Sequence, residues 1–172
     1  MMTGTAPQEP MILSTVTGAD GSIFTATDQG LFRQAVGATD LERVLPASAE
    51  AAIPVLAVTL ISGQRLLAGI AGAIAYSDSR GDEWAFARLP EPALVVSCFA
   101  SNATDLVVLA GTFEDGILRS YDSGESWHTS NFGLLDASVL ELEFDGEGSF
   151  HAETSTGRFM SLNGGNSWEP LD

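Results

Sequence analysis

Three tryptophans, Trp84, Trp127 and Trp168, stand 43 and 41 residues apart, and each closes a similar phrase. Before Trp127 the chain reads Ser120-Tyr121-Asp122-Ser123-Gly124-Glu125-Ser126. Before Trp168 it reads Ser161-Leu162-Asn163-Gly164-Gly165-Asn166-Ser167, and before Trp84 Ser77-Asp78-Ser79-Arg80-Gly81-Asp82-Glu83. Seven residues before each Trp is a Ser, and three before is a Gly. Self-similarity at this period constrains the fold more than any other feature, because each unit must bury its apolar face against its neighbours. An eroded copy lies 43 residues ahead of Trp84, at Leu41. Gly30-Leu31-Phe32-Arg33 matches Gly116-Ile117-Leu118-Arg119 and Gly157-Arg158-Phe159-Met160, while the turn decays to Gln34–Asp40 with Val36 at its centre.

Each unit holds four short β-branched or aromatic runs bounded by Gly, Asp, Ser and Asn. In the first they are Ile12–Thr17, Ser22–Thr27, Gly30–Ala35 and Leu41–Leu45. In the second they are Val55–Ile61, Arg65–Gly69, Ala73–Ser77 and Trp84–Leu89. The third has Val95–Ala100, Leu106–Gly111, Gly116–Tyr121 and Ser126–Ser130; the fourth has Val139–Asp145, Ser149–Glu153, Gly157–Ser161 and Ser167–Leu171. Four strands in about 42 residues is the size of a propeller blade. The predicted fold is all-β: four β-propeller blades (11–46, 54–90, 94–133 and 138–172), each a four-stranded antiparallel sheet, in one domain of 172 residues. Ala47–Ala52 is the only local helix candidate.

The phrase Ser-x-Asp-x-Gly-x-Ser-Trp resembles the Asp-box of the BNR repeat, found in sialidases, sortilin-type receptors, some xyloglucanases and propellers of the photosystem II assembly and stability factor type. The stretch Gly116–Trp127 is most similar to the last group, and the resemblance covers essentially the whole chain. The motif has a mechanical reading as the hairpin between the third and fourth strands of a blade. An Asp carboxylate accepts nearby backbone N–H groups, Gly supplies positive φ, and the Trp ring folds over the turn. Asp122 is then a turn carboxylate, and Ser77, Gly81, Trp84, Ser120, Gly124, Trp127, Ser161, Asn163, Gly165 and Trp168 are structural partners in three copies of one device. Asn163 can make the Asp bonds, Ser79 stands in less well, and Val36 offers none.

Charge narrows the function classes. The formal net charge is −16 and all seven basic residues are arginines, which disfavours nucleic acid and anionic membrane surfaces. The acidity serves solubility. Cys98 is the single cysteine, so no intrachain disulfide is possible, and its apolar setting, Val95–Phe99, suits a buried inert thiol. The start, Met1–Leu13, lacks a basic segment followed by an apolar one, and the longest apolar stretch, Ile53–Ile61, is too short to span a bilayer. The expectation is a soluble, cytoplasmic protein.

No constellation reads as catalytic, and no cofactor or metal site is expected. The resemblance implies, for a sialidase, an arginine triad, a Tyr–Glu pair and a Phe/Tyr-Arg-Ile-Pro phrase; the phrase is absent. Asp28, Glu114, Asp115 and Glu153, in or near loops between second and third strands, are the acids that might line one face, and a glycosidase needs two facing one cleft. His128 and His151 have no evident nucleophile beside them. The more informative surface is apolar: Phe132, Leu134 and Leu135, in the crossover Asn131–Asp136, are candidate partner-binding residues together with Glu114 and Asp115. The leading expectation is a non-enzymatic interaction scaffold, as an assembly factor or accessory subunit, with a protein partner or homo-oligomer. The competing expectation is a glycan-active or glycan-binding protein. Four blades leave three ways to complete a ring: close at four, pair two copies, or recruit another chain.

Overall fold

The computed structural model describes residues 9–46, 52–61, 64–91, 94–102, 104 and 107–171. These residues form sixteen strands. The first four are β1 (Ile12–Thr17), β2 (Ile23–Thr27), β3 (Gly30–Gln34) and β4 (Glu42–Leu45). They are followed by β5 (Val55–Ile61), β6 (Arg65–Ile70), β7 (Ala73–Ser77), β8 (Ala85–Phe86), β9 (Val96–Ser101), β10 (Val108–Thr112), β11 (Ile117–Ser120) and β12 (His128–Thr129). The last blade is β13 (Val139–Phe144), β14 (Phe150–Thr154), β15 (Arg158–Ser161) and β16 (Glu169–Leu171). They build four four-stranded antiparallel sheets in strict chain order, the four predicted blades. Residues 47–51 of the local helix candidate lie outside the described residues. Among the described residues no helix is long and apolar enough to cross a membrane.

The blades stack in sequence. β1 packs on β5, β5 on β9 and β9 on β13, so the first strand of each blade lines the inner edge of an arc. Among the described residues no comparable packing joins β13 back to β1. As described, the four blades form an open arc.

Three apolar layers hold the arc, one at each junction. Phe24, Leu31 and Val44 meet Val55, Leu66 and Ala75; Leu67 and Ile74 meet Val96, Val108, Leu118 and Trp127; Leu109 and Ile117 meet Val139, Phe150, Phe159 and Trp168. Each inner blade is thus buried on both faces, and β6 and β10 read as near-continuous apolar runs. Where two sheets come closest the chain carries glycine. A Cβ on Gly69 would lie 2.7 Å from Val96 Cβ, and one on Gly111 would lie 2.6 Å from Cys98 Sγ and 2.7 Å from Val139 Cγ1.

The outer strands are shorter than expected. The run Trp84–Leu89 pairs only at Ala85–Phe86, and Ser126–Ser130 only at His128–Thr129. The reason lies in the next blade. Arg88 N–H donates to Glu125 O and Trp127 N–H to Arg88 O, at 2.9 and 3.0 Å, while Trp168 N–H donates to Phe132 O at 2.8 Å. Past these strand pairs one more bond to the blade's own sheet, Ala87 N–H to Ile74 O and Ser130 N–H to Ile117 O, precedes the bonds to the neighbour's turn.

Candidate functional site

The repeated phrases form the β7–β8, β11–β12 and β15–β16 turns. In each, the leading serine hydroxyl accepts the glycine N–H at 2.8 Å: Gly81 to Ser77, Gly124 to Ser120, Gly165 to Ser161. Asp122 accepts the Ser126 N–H at 2.8 Å, the Ser126 hydroxyl at 2.6 Å and the Ser120 hydroxyl at 2.9 Å. Asn163 reproduces this set: it accepts from Ser167 N–H and the Ser161 hydroxyl, each at 3.0 Å, and donates to Ser167 Oγ at 2.8 Å. Ser79 accepts the Glu83 N–H at 2.7 Å. Val36 is exposed. Burial alone raises the Asp122 pKa, but the bonds from Ser126 and Ser120 outweigh it and hold the carboxyl below its ordinary range. A carboxylate so placed has its oxygens engaged by its own turn.

These turns also fasten blades together. A Cβ on Gly81 would sit 3.1 Å from Val44, one on Gly124 2.6 Å from Leu67 Cδ2, and one on Gly165 2.8 Å from Leu109 Cδ2, all residues of the preceding blade. Trp84 Nε1 donates to Val44 O at 2.8 Å and Trp168 Nε1 to Ser130 O at 2.9 Å, again one blade back. Trp127 Nε1 stays within its turn, bonding Gly124 O at 3.0 Å. Arginines pin the same junctions. Arg33 reaches Asp82 at 2.8 Å, Arg65 reaches Glu125 at 3.1 Å, and Arg119 bonds Asn166. Arg33 and Arg119 share one repeat position, but Arg65 lies on β6, and the repeat frame gave no sign that it would do the same work. The first turn, with Ala38 and Leu41 at the Gly and Trp places, has no preceding blade in the described residues to fasten.

The other acids are dispersed. Asp28 Oδ1 accepts Met11 N–H at 2.8 Å. Glu114 and Asp115 are exposed in the β10–β11 turn. Glu153 lies near the end of β14, opposite Glu141 and Arg158. A depression of about 500 Å³ between the β7–β8 and β11–β12 turns holds Arg65, Asp78, Asp122 and Glu125. Its carboxylates are already engaged: Arg65 binds Asp78 at 2.6 Å as well as Glu125, and Asp122 closes its turn. No group of three or more His, Cys, Asp and Glu among the described residues is arranged to hold a metal. His128 is exposed on β12, and His151 Nε2 lies 3.6 Å from Asp145 Oδ2. Cys98 is partly exposed, and burial pushes its thiol up, away from thiolate.

The β12–β13 crossover presents an apolar surface. Phe132 is 81% exposed and Leu135 79% exposed. Leu134 differs from the expectation: it is half-buried and packs against the cluster of the third junction, so it anchors the loop rather than presenting itself. Asn131 holds the crossover to the β10–β11 turn, accepting Ile117 N–H at 2.7 Å and donating to Asp115 O at 2.9 Å. Gly133, at φ 85°, lies so close to Trp168 O that a Cβ would stand 2.1 Å away. Asp136 accepts Ser138 N–H at 3.0 Å and the Ser155 hydroxyl at 2.5 Å, and these bonds hold its carboxyl below the ordinary range. The two exposed apolar side chains thus stand on a loop fixed at both ends, beside half-exposed Phe113 and the acids Glu114 and Asp115.

No family model matches the chain. No curated protein matches it. Solved structures do. The GH74 xyloglucanase from Xanthomonas campestris aligns over 94% of this chain and 30% of its own, at 15% identity and a TM-score of 0.76. The structure of YCF48 bound to D1 peptide aligns over 95% of this chain and 56% of its own, at 16% identity and 0.71. The GH74 enzyme of Niastella koreensis aligns over 91% and 28%, at 12% identity and 0.73. The chain therefore spans less than a third of the two GH74 enzymes and just over half of YCF48. Likeness at these identities shows the fold alone, and that fold is the β-propeller.

Proposed function

We propose that this chain is a non-enzymatic β-propeller scaffold of the BNR, Asp-box type, and that it binds a protein segment at the β12–β13 crossover. The observation that carries the reading is the pair Phe132 and Leu135, exposed on a loop whose neighbours Asn131, Gly133, Leu134 and Asp136 are each committed to holding it. Apolar side chains fixed in water lose little conformational entropy on docking. The flanking Glu114 and Asp115, on a chain of net charge −16, favour a segment that combines apolar and basic residues. The peptide-bound YCF48 structure shows a like fold engaging a peptide. Selection from a random peptide display library tests the reading. Enrichment of basic peptides with apolar anchors, lost when Phe132 and Leu135 are both changed to Glu, is expected. Absence of enrichment, or enrichment that survives the double substitution, contradicts it.

A glycan-active reading draws on the likeness to GH74 enzymes. Against it, Trp127 and Trp168 are 2% exposed and unavailable to stack on sugar, and Arg65 already binds Asp78 and Glu125. Release of reducing ends from xyloglucan by the purified chain would favour that second reading over the scaffold.

A further inference from the structure

The two ends of the arc differ in chemistry. In the second, third and fourth blades, the sheet face covered by the blade before carries Leu66, Ala68 and Ala75; Val108, Ala110 and Leu118; Phe150, Ala152 and Phe159. Strand register places Ile23, Thr25 and Phe32 at the same positions of the first blade. No described sheet covers them. Around them Ile12 is 67% exposed and Leu41 59% exposed, and Ile12, Thr25, Phe32 and Leu41 line an open depression of about 460 Å³. Among the described residues lining this depression the one carboxylate is Glu9, and the Arg43 guanidinium lies 5.6 Å from the Phe32 ring centroid.

The trailing face of the fourth blade is the opposite case. Its register positions, filled by Leu67, Gly69 and Ile74 or Leu109, Gly111 and Ile117 in the inner blades, hold His151, Glu153 and Arg158. Glu153 stands where the inner blades need glycine to admit the next sheet, and Glu141 and Glu143 lie beside it. Covering that face would bury several carboxylates around a single arginine, a cost apolar contact does not offset.

We propose that the leading face of the first blade binds the same face of a second copy about a two-fold axis, giving a dimer of eight blades with both trailing faces outward. Charge selects this occupant. Two chains of net charge −16 repel over most of their surfaces, whereas the described lining of this depression carries a single carboxylate, Glu9, with Arg43 beside it. A two-fold contact is self-complementary, so Glu9 and Arg43 can meet each other's counterparts twice while Ile12, Phe32 and Leu41 are covered. Head-to-tail addition would press the same face onto Glu141, Glu143 and Glu153, which excludes rings and filaments built that way. This inference does not depend on the proposed docking role of Phe132 and Leu135.

Sedimentation equilibrium of the full chain at micromolar concentration tests it. The expected result is a species of twice the 18.0 kDa chain mass. The double substitution Ile12→Glu and Leu41→Glu is expected to weaken dimerisation by about 100-fold or more, as for loss of two central apolar contacts. Both side chains are exposed, so its thermal melt at monomeric concentration should match the wild-type chain at the same dilution. Phe132→Glu with Leu135→Glu should leave the dimer intact. A wild-type monomer throughout the micromolar range, a dimer that survives the Ile12 and Leu41 changes, or a series of species growing with concentration would each overturn the proposal.

Discussion

The Cα of Gly124 lies flat against the side chain of Leu67, one blade earlier: a methyl group added to it would stand 2.6 Å from Leu67 Cδ2. Leu67 is fully buried and cannot yield, and Gly124 sits at φ 91°. Gly124→Ala is therefore expected to lower stability by about 1–3 kcal/mol through overpacking at the junction of the second and third blades. Ala38, at the same place in the first repeat, faces no preceding sheet, and Ala38→Gly should shift the melting temperature little. Thermal denaturation measures both, and wild-type-like melting of Gly124→Ala would contradict the tight fit.

Trp127 is 2% exposed, tilts against Phe99 with ring centroids 6.1 Å apart, and bonds Gly124 O. Trp127→Ala is expected to cost about 3–5 kcal/mol, as for a large buried aromatic. Denaturant unfolding measures it, and a wild-type-like midpoint would place the ring outside the core.

Asp122→Ala should cost about 1–2 kcal/mol, the scale of lost turn hydrogen bonds. Asp122→Asn should retain most of that, because Asn163 already makes the same bonds in the fourth blade. The pH dependence has a fixed sign. The folded Asp122 carboxyl ionises below its unfolded value, so its contribution is complete above the unfolded pKa and is lost as pH falls through the folded one. Asp145, whose carboxyl accepts the Ser149, Glu147 and Gly148 N–H groups, acts in the same direction. The wild-type melting temperature should therefore fall below about pH 4, and the fall should be shallower in Asp122→Asn.

Ser123 adopts φ 57°, a left-handed conformation costly to a residue with a Cβ, and Gly164 fills that place in the fourth repeat. Ser123→Gly is expected to raise stability by about 0.5–1 kcal/mol. A lower melting temperature would mean that chain entropy outweighs the relief of strain.

The tryptophan period made the blades legible, because four turns separated by four short strands leave little choice of architecture. The turn bonds were legible too, since Ser-x-Asp-x-Gly specifies local backbone geometry. What lay between blades was harder to read. Arg65 pins the third turn from β6, whereas the repeat frame drew notice to Arg33 and Arg119 on the third strands. Leu134 and Leu135 are adjacent and chemically alike, yet only the first packs inward, against the cluster that holds Trp168 across the junction. The polar trailing face did leave a signal in sequence. Glu153 and His151 occupy places that hold Gly and Leu in the second and third repeats, and period-two alternation puts both on one face.

Calorimetric titration tests the central claim most directly, that the turns are structural and the crossover is the docking site. A basic, apolar-anchored peptide from the display selection is titrated into the wild-type chain, Asp122→Ala, and Phe132→Glu with Leu135→Glu. The expected result is equal affinity for the wild-type chain and Asp122→Ala, despite the latter's lower melting temperature, and at least about tenfold weaker binding to the double variant. Binding that is lost in folded Asp122→Ala and kept by the double variant would contradict the account.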